Sequence, residues 1–391
     1  MPRPIGRHLR RLRPPSPSIR DWVRGHTEDD LPGVTPDPVA VWKWVIDEWS
    51  IQAELAMGRM RIPDSAFRRR LRDELSAAAE RYEAEGWLAD PRSYHRDPPP
   101  LDAIEQRTAV DGGYRYEHLR FDSDFEPWPD EPGRERWLDY RPVRTGHAWV
   151  LRHHDGPRPW LVLVNGYRTG DPALDLSMFR AARLHGRHGL NVAAVILPLH
   201  GPRAVDQNGG RVLHAGAMNT VFTLAQGAWD IRRLLDWIRR DQEATAVGIS
   251  GISLGGYMAS LVSCLDHDLA CVIAGVPESD LVRGMRRQLE PLLPPFYEQW
   301  GLSWAPLERV FQVVSPLAMP CLVPPDRRFI YAGLLDRWVR PGNVRRLWEH
   351  WDEPTILWYE GSHLSFPLEP AVRRFVDDAV AHTFSADVAV A

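Results

Sequence analysis

Hydrophobic and polar positions follow two different periods along this chain. Val41, Trp44, Val45, Trp49, Ile51 and Leu55 fall at near-helical spacing and predict a helix over 38–57 with a broad apolar face, with Pro38 in its first turn. Leu71, Leu75, Ala78 and Tyr82 form the apolar stripe of a second helix over 64–86, capped by Asp64 or Ser65 and ended by Gly86. After a proline-rich break at 97–100 the texture changes, and Tyr114–Phe125 and His147–His153 alternate like strands. From Trp160 onward short unbroken apolar runs take over: Trp160–Val164, Val192–Leu197, Ala246–Ile249, Cys271–Val276, Phe329–Ala332 and Ile356–Tyr359. Between them lie helical patterns near 174–187, 218–240, 254–265, 342–350 and 369–383. A strand that is apolar at every position is buried on both faces. The alternation therefore predicts an α/β fold, a mostly parallel central sheet covered by helices on both sides.

One interval breaks this rhythm. Residues 280–316 hold Pro291, Pro294, Pro295 and Pro306 among Phe296, Tyr297, Trp300 and Trp304, which reads as a lid-like insertion over the carboxyl edge of the sheet. Leu292, Leu293, Phe296, Tyr297 and Trp300 are the residues a lipase lid acting at a membrane surface would need, whereas a buried helical cap asks less of them. The chain thus divides into a flexible Pro/Arg-rich arm at 1–37, a helical extension at 38–110 and a main domain at 111–391. The extension carries no recognisable catalytic arrangement. Its helices pack on the main domain, join two copies into a homo-oligomer, or help to wall a pocket.

Composition narrows the class. Lys and Arg number 48 against 52 Asp and Glu, a formal net charge of −4, which argues against nucleic acid as a partner. No apolar stretch approaches the ~18–20 residues of a membrane-spanning helix, so membrane association is not indicated. Arg10-Arg11 is followed by Leu-Arg-Pro-Pro-Ser-Pro, not by the apolar core of a secretion signal. Cys264, Cys271 and Cys321 fit neither a disulfide framework nor a zinc motif. Together these predict a cytoplasmic protein with free thiols. His153-His154 would point to opposite faces of a strand, and Gly209-Gly210 lacks the Lys-Ser/Thr of a phosphate loop. Asp122, Asp124 and Glu126 read as a solvated turn.

The informative segment is Gly251-Ile252-Ser253-Leu254-Gly255-Gly256, a G-x-S-x-G between an apolar run and an apolar helix pattern with small residues. The motif alone is common, and its setting is what counts. In a strand–turn–helix the serine stands at the tip of a sharp turn, and glycines on both sides let strand and helix approach. Ser250 lacks flanking glycines at that spacing and reads as strand end. A serine hydroxyl needs a base, oriented by a carboxylate, to attack at neutral pH. Asp336 and His363 each stand a few residues past the end of a later predicted strand, in the order acid then base. Ser253, His363 and Asp336 are therefore the expected nucleophile, base and orienting acid.

These motifs resemble the α/β-hydrolase superfamily of serine hydrolases over roughly residues 140–385. Gly-Ile-Ser-Leu-Gly-Gly around Ser253, Gly-Leu-Leu-Asp-Arg-Trp-Val-Arg-Pro around Asp336 and Gly-Ser-His around His363 are most similar to the esterase, dienelactone-hydrolase and prolyl-oligopeptidase-like branches. The resemblance implies an oxyanion hole of two backbone N–H groups. One is Leu254, after the nucleophile. The other is Tyr167, in the loop Asn165-Gly166-Tyr167-Arg168, where the family often has His-Gly and this chain has Asn165. His200-Gly201, after the next strand, competes for the second role and is otherwise expected near the pocket. Asn165, Gly166, Arg168, His200 and Trp300 complete the expected pocket, and Arg168 and Arg203 stand near its mouth, although with Lys43 the only lysine most such arginines are surface residues. The implied activity is hydrolysis of a small carboxylic ester or other acyl substrate without metal or organic cofactor. Thioesterase, amidase or peptidase, lipase and acyltransferase chemistry use the same triad. A non-catalytic ligand-binding scaffold would be marked by a lost triad member, and none is lost here.

Overall fold

In a computed structural model of the chain, residues 31–34, 37–54, 65–205, 216–289 and 303–384 are described, the side chains of 288 and 289 excepted. Nine strands build one sheet: β1 (Glu105–Asp111), β2 (Tyr114–Asp122), β3 (Thr145–Leu151), β4 (Trp160–Val164), β5 (Asn191–Ile196), β6 (Val247–Ile252), β7 (Val272–Gly275), β8 (Arg328–Gly333) and β9 (Thr355–Tyr359). Their order is β1-β2-β3-β5-β4-β6-β7-β8-β9. β1, β2, β3 and β5 pair antiparallel, and every pair from β5 to β9 is parallel. Successive side chains of a strand face opposite sides. Val162, Val164, Ala193 and Val195 accordingly enter one core while Leu161, Leu163, Val192, Ala194 and Ile196 enter the other. Two buried faces explain why these strands are apolar at every position.

The described helices are α1 (Pro38–Glu54), α2 (Ser65–Ala84), α3 (Arg134–Leu138), α4 (Pro172–Met178), α5 (Ala181–His188), α6 (Ala217–Asp241), α7 (Leu254–Ser263), α8 (Leu281–Leu289), α9 (Trp304–Phe311), α10 (Pro341–His350) and α11 (Pro370–Phe384). α2, α6, α7 and α9 feed the first core, and α4, α5 and α11 the second. The single helix expected at 174–187 is two, α4 and α5, because Arg180 takes a left-handed φ of 54° between them. β1 has no counterpart in the sequence reading and lies in the stretch assigned to the extension. As the edge strand it buries none of its seven residues, so it carries no apolar alternation.

The two extension helices dock in opposite ways. α2 follows expectation, with Leu75, Ala78 and Tyr82 buried in the first core. α1 docks differently. Asp37 caps it, accepting the Ala40 N–H at 2.7 Å. Yet Val41, Val45 and Trp49 of its apolar face are exposed, Trp49 by 72%, while Trp44 and Ile51 of that face are half-buried. The helix rests instead on Ala40 and Asp47. Leu55 and Asp64 lie outside the described residues, as do residues 1–30 of the arm. So do Leu292, Leu293, Phe296, Tyr297 and Trp300 of the insertion. On its described flank, Leu307, Val310 and Phe311 of α9 are buried, and Arg309 pairs with Glu83 of α2.

Candidate active site

β6 delivers Ser253 to the start of α7 with φ 58° and ψ −117°, a left-handed φ that a residue with a side chain holds only when its surroundings force it. The Ser253 N–H is fixed to Gly275 O of β7 at 2.9 Å, and Ser253 O accepts the Tyr257 N–H at 3.0 Å. The flanking glycines are sterically required. A Cβ at Gly251 would stand 1.9 Å from Gly255 O, and one at Gly255 would stand 1.8 Å from Val164 O. Strand, turn and helix are too close for any side chain at either position.

Asp336 follows β8 and His363 follows β9, and two backbone bonds stitch their loops together. Leu334 N–H donates to Tyr359 O and Leu335 N–H to Gly361 O, each at 2.9 Å. The side chains meet in a line. His363 Nδ1 lies 2.7 Å from Asp336 Oδ2, and His363 Nε2 lies 3.0 Å from Ser253 Oγ. The other Asp336 oxygen accepts the Val339 N–H at 2.7 Å. With Nδ1–H donated to the carboxylate, the Nε2 lone pair faces the serine hydroxyl. Asp336 and His363 are buried while Ser253 keeps partial exposure.

Burial shapes the electrostatics. It lowers the proton affinity of the His363 imidazole, but Asp336, Asp47 and Glu278 act against it, and the net result is a raised pKa. Burial lifts the Asp336 carboxyl to about 6, opposed by His363 and the Val339 N–H and reinforced by Asp47. Glu278, just beyond β7, is lifted by burial to about 7 although it accepts the Asp280 N–H and the Asn343 amide.

The structure brings the loop after β4 against the serine. A Cβ on Gly166 would stand 3.3 Å from Ser253 Cβ, so this glycine lets the loop close on the elbow. Asn165 is buried with both amide atoms lacking a hydrogen-bond partner among the described residues. Tyr167 is half-buried, its ring edge-on to His200 at 6.3 Å. His200 is fully buried, held by Pro198 O at 2.9 Å and lowered by burial to about 4, so it is neutral at physiological pH. Leu254, the first residue of α7, has one of the N–H groups that a helix start leaves without an intrahelical partner. Of the two arginines expected at the mouth, Arg168 is exposed in the loop beside Tyr167, whereas Arg203 does not reach the surface. Arg168 pairs with Glu54 of α1 at 2.9 Å. Arg203 is wholly buried, pairing with Asp230 at 2.8 Å and donating to Ile196 O and Val143 O, so it meets no substrate. Trp300 lies outside the described residues.

Asp47 and Glu278 are the charged groups near His363 that the sequence reading missed. Asp47 is fully buried, and its carboxylate accepts the backbone N–H groups of His363 at 2.7 Å, Arg337 at 3.1 Å and Leu364 at 3.1 Å. An acid flanked by Ile46 and Glu48 in a predicted amphipathic helix carries no sequence signal for such a role. Glu278 stands just past the predicted strand Cys271–Val276, and that position at a strand's carboxyl end is its sequence signal. Among the described residues no group of three or more His, Cys, Asp or Glu is arranged to hold a metal ion. No helix among them is long and apolar enough to cross a membrane.

Comparison with known proteins adds relatives and a fold. The chain is 40% identical over 365 residues to "Uncharacterized protein MT2702" of Mycobacterium tuberculosis (strain CDC 1551 / Oshkosh), covering 93% of this chain and 87% of that one. It is equally similar, over the same shares, to "Uncharacterized protein Rv2627c" of M. tuberculosis (strain ATCC 25618 / H37Rv). No family model matches. Among solved structures, acetyl xylan esterase 1 from Thermoanaerobacterium sp. JW/SL YS485 superposes with a TM-score of 0.52 at 16% identity, covering 75% of this chain and 93% of that one.

Proposed function

We propose that this chain, which has the α/β-hydrolase fold and belongs to one family with the two mycobacterial proteins, is a serine hydrolase that cleaves a carboxylic ester. The observation that carries this reading is the unbroken line from the strained Ser253 through His363 to Asp336, at 3.0 and 2.7 Å. In it Ser253 Oγ attacks the ester carbonyl while His363 Nε2 takes its proton, and Asp336 holds the imidazole in the required tautomer and balances the imidazolium that forms. The Leu254 and Tyr167 N–H groups receive the oxyanion. His363 then returns the proton to the departing alcohol, and a water activated by the same imidazole releases the acid. Each step uses groups of this chain and water alone. The esterase named among the structural neighbours acts on acetyl groups of xylan, and a small acyl group is the substrate class to screen first.

The reading is tested by following release of p-nitrophenol from p-nitrophenyl acetate. Wild type turns the ester over, and Ser253→Ala lowers turnover by about 10⁴-fold or more with an unchanged circular dichroism spectrum. Near-wild-type turnover in folded Ser253→Ala overturns it. The pH profile is a second check. His363 must be neutral to accept the proton, and its pKa is raised, so kcat/KM falls on acidification at a higher pH than an ordinary histidine of about 6.5 would give.

A further inference from the structure

We infer that Asp47 on α1 is a positioning residue, fixing the backbones that carry His363 and Asp336 in register with Ser253; the inference rests on the hydrolase reading above. A helix that precedes the sheet in the chain reaches the loops after three different strands. Asp47 takes the N–H groups of His363 and Leu364 after β9 and of Arg337 after β8. Around it, Lys43 Nζ donates to Glu360 O at 3.0 Å and pairs with Glu369. Glu48 pairs with Arg337, and Ser50 Oγ accepts the Trp338 indole N–H at 2.8 Å. Glu54 pairs with Arg168, one residue past the proposed oxyanion donor Tyr167.

The form of the contact is what separates positioning from plain packing. α1 leaves Val41, Trp42, Val45 and Trp49 exposed and sinks a carboxylate, the reverse of a helix docked to bury apolar area. Residues past the strand ends have left the sheet ladder, and buried N–H groups there need an acceptor. One carboxylate serves both loops, so the acid loop cannot shift against the base loop without breaking a charge-assisted bond. The charge acts on the imidazole as well. His363 is faced by Asp336 from the loop after β8, by Asp47 from α1, by Glu278 from beyond β7 and by the Ser253 hydroxyl. Removing the Asp47 charge takes away one of the influences that raise its pKa and so lowers it.

The test compares wild type, Ser253→Ala, Asp47→Ala, Asp47→Asn and, as a control on the exposed face of the same helix, Trp49→Ala, each checked by circular dichroism. Hydrolysis of p-nitrophenyl acetate is followed across pH. Asp47→Ala lowers kcat by about 10- to 100-fold with KM near wild type, the cost of a displaced base rather than of lost binding. Asp47→Asn keeps an oxygen to accept N–H but no charge, so it retains more kcat, and in both variants the acid limb of kcat/KM moves to lower pH. Trp49→Ala matches wild type. If Asp47→Ala does not fold, the near-isosteric Asp47→Asn decides by its acid limb alone. A folded Asp47 variant with wild-type kcat and an unmoved acid limb overturns the inference, even if its melting temperature falls, because that is the behaviour of a merely structural residue. A wild type that neither hydrolyses the ester nor takes a fluorophosphonate at Ser253 overturns the hydrolase reading, and this inference with it.

Discussion

α1 and α2 precede the same sheet and announce themselves by the same helical spacing, yet they dock by opposite physics. α2 turns Leu75, Ala78 and Tyr82 into the core, and its polar side faces water. Tyr82 is fully buried, packed edge-on against Trp87 at 5.3 Å, with its hydroxyl donated to Glu131. α1 leaves Val41, Trp42, Val45 and Trp49 exposed and lays Asp47, Glu48 and Ser50 on the loops that carry the acid and the base. Apolar periodicity states that a segment can be a helix and has two unlike sides. Which side faces the protein depends on what waits there. Under α2 the neighbour is an apolar core. Under α1 it is a set of backbone N–H groups past the strand ends, which an apolar side chain would leave unsatisfied at about 1–3 kcal/mol each. One helix adds stability by burial, and the other adds order where the proposed chemistry is.

Three substitutions would break or sharpen that contrast, in descending order of effect on unfolding by denaturant. Tyr82→Ala removes a buried aromatic and leaves the Glu131 carboxylate without one of its donors, and it is expected to cost about 3–5 kcal/mol. A small loss there would mean that α2 does not belong to the core. Lys43→Ala removes a largely covered ion pair with Glu369 from α1 and is expected to cost about 1 kcal/mol or less. Trp49→Ala, at a 72% exposed position, should change stability by no more than about 0.5 kcal/mol. A cost of several kcal/mol at Trp49 would mean that its ring is covered in solution, and the contrast between the helices would collapse.

The same contrast sorts what the sequence made legible. The elbow was readable because its cause is local. Gly251 and Gly255 are excluded from bearing a side chain by atoms within a few residues of each other and by β4 alongside. The order of Ser253, Asp336 and His363 was readable because a parallel sheet sends every strand's carboxyl end to one edge, so distant residues at strand ends converge. α2 was readable because burial of an apolar stripe is the common outcome. Asp47 was not, since its partners stand 290 to 317 residues away in the chain and are backbone groups, which leave no residue pattern. Arg203 escaped for a related reason. In a chain whose cations are almost all arginine, nothing local distinguishes an arginine buried against Asp230 from one on the surface. β1 escaped because an exposed edge strand has no apolar face to repeat.

Whether Ser253 is an activated nucleophile is measured most directly by covalent labelling with a fluorophosphonate, with the adduct mapped by peptide mass. Wild type is expected to take a single label, on Ser253, and to lose it in Ser253→Ala and in His363→Ala while both variants keep their fold. Well-folded wild type that takes no label, or takes it at another residue, would contradict the account.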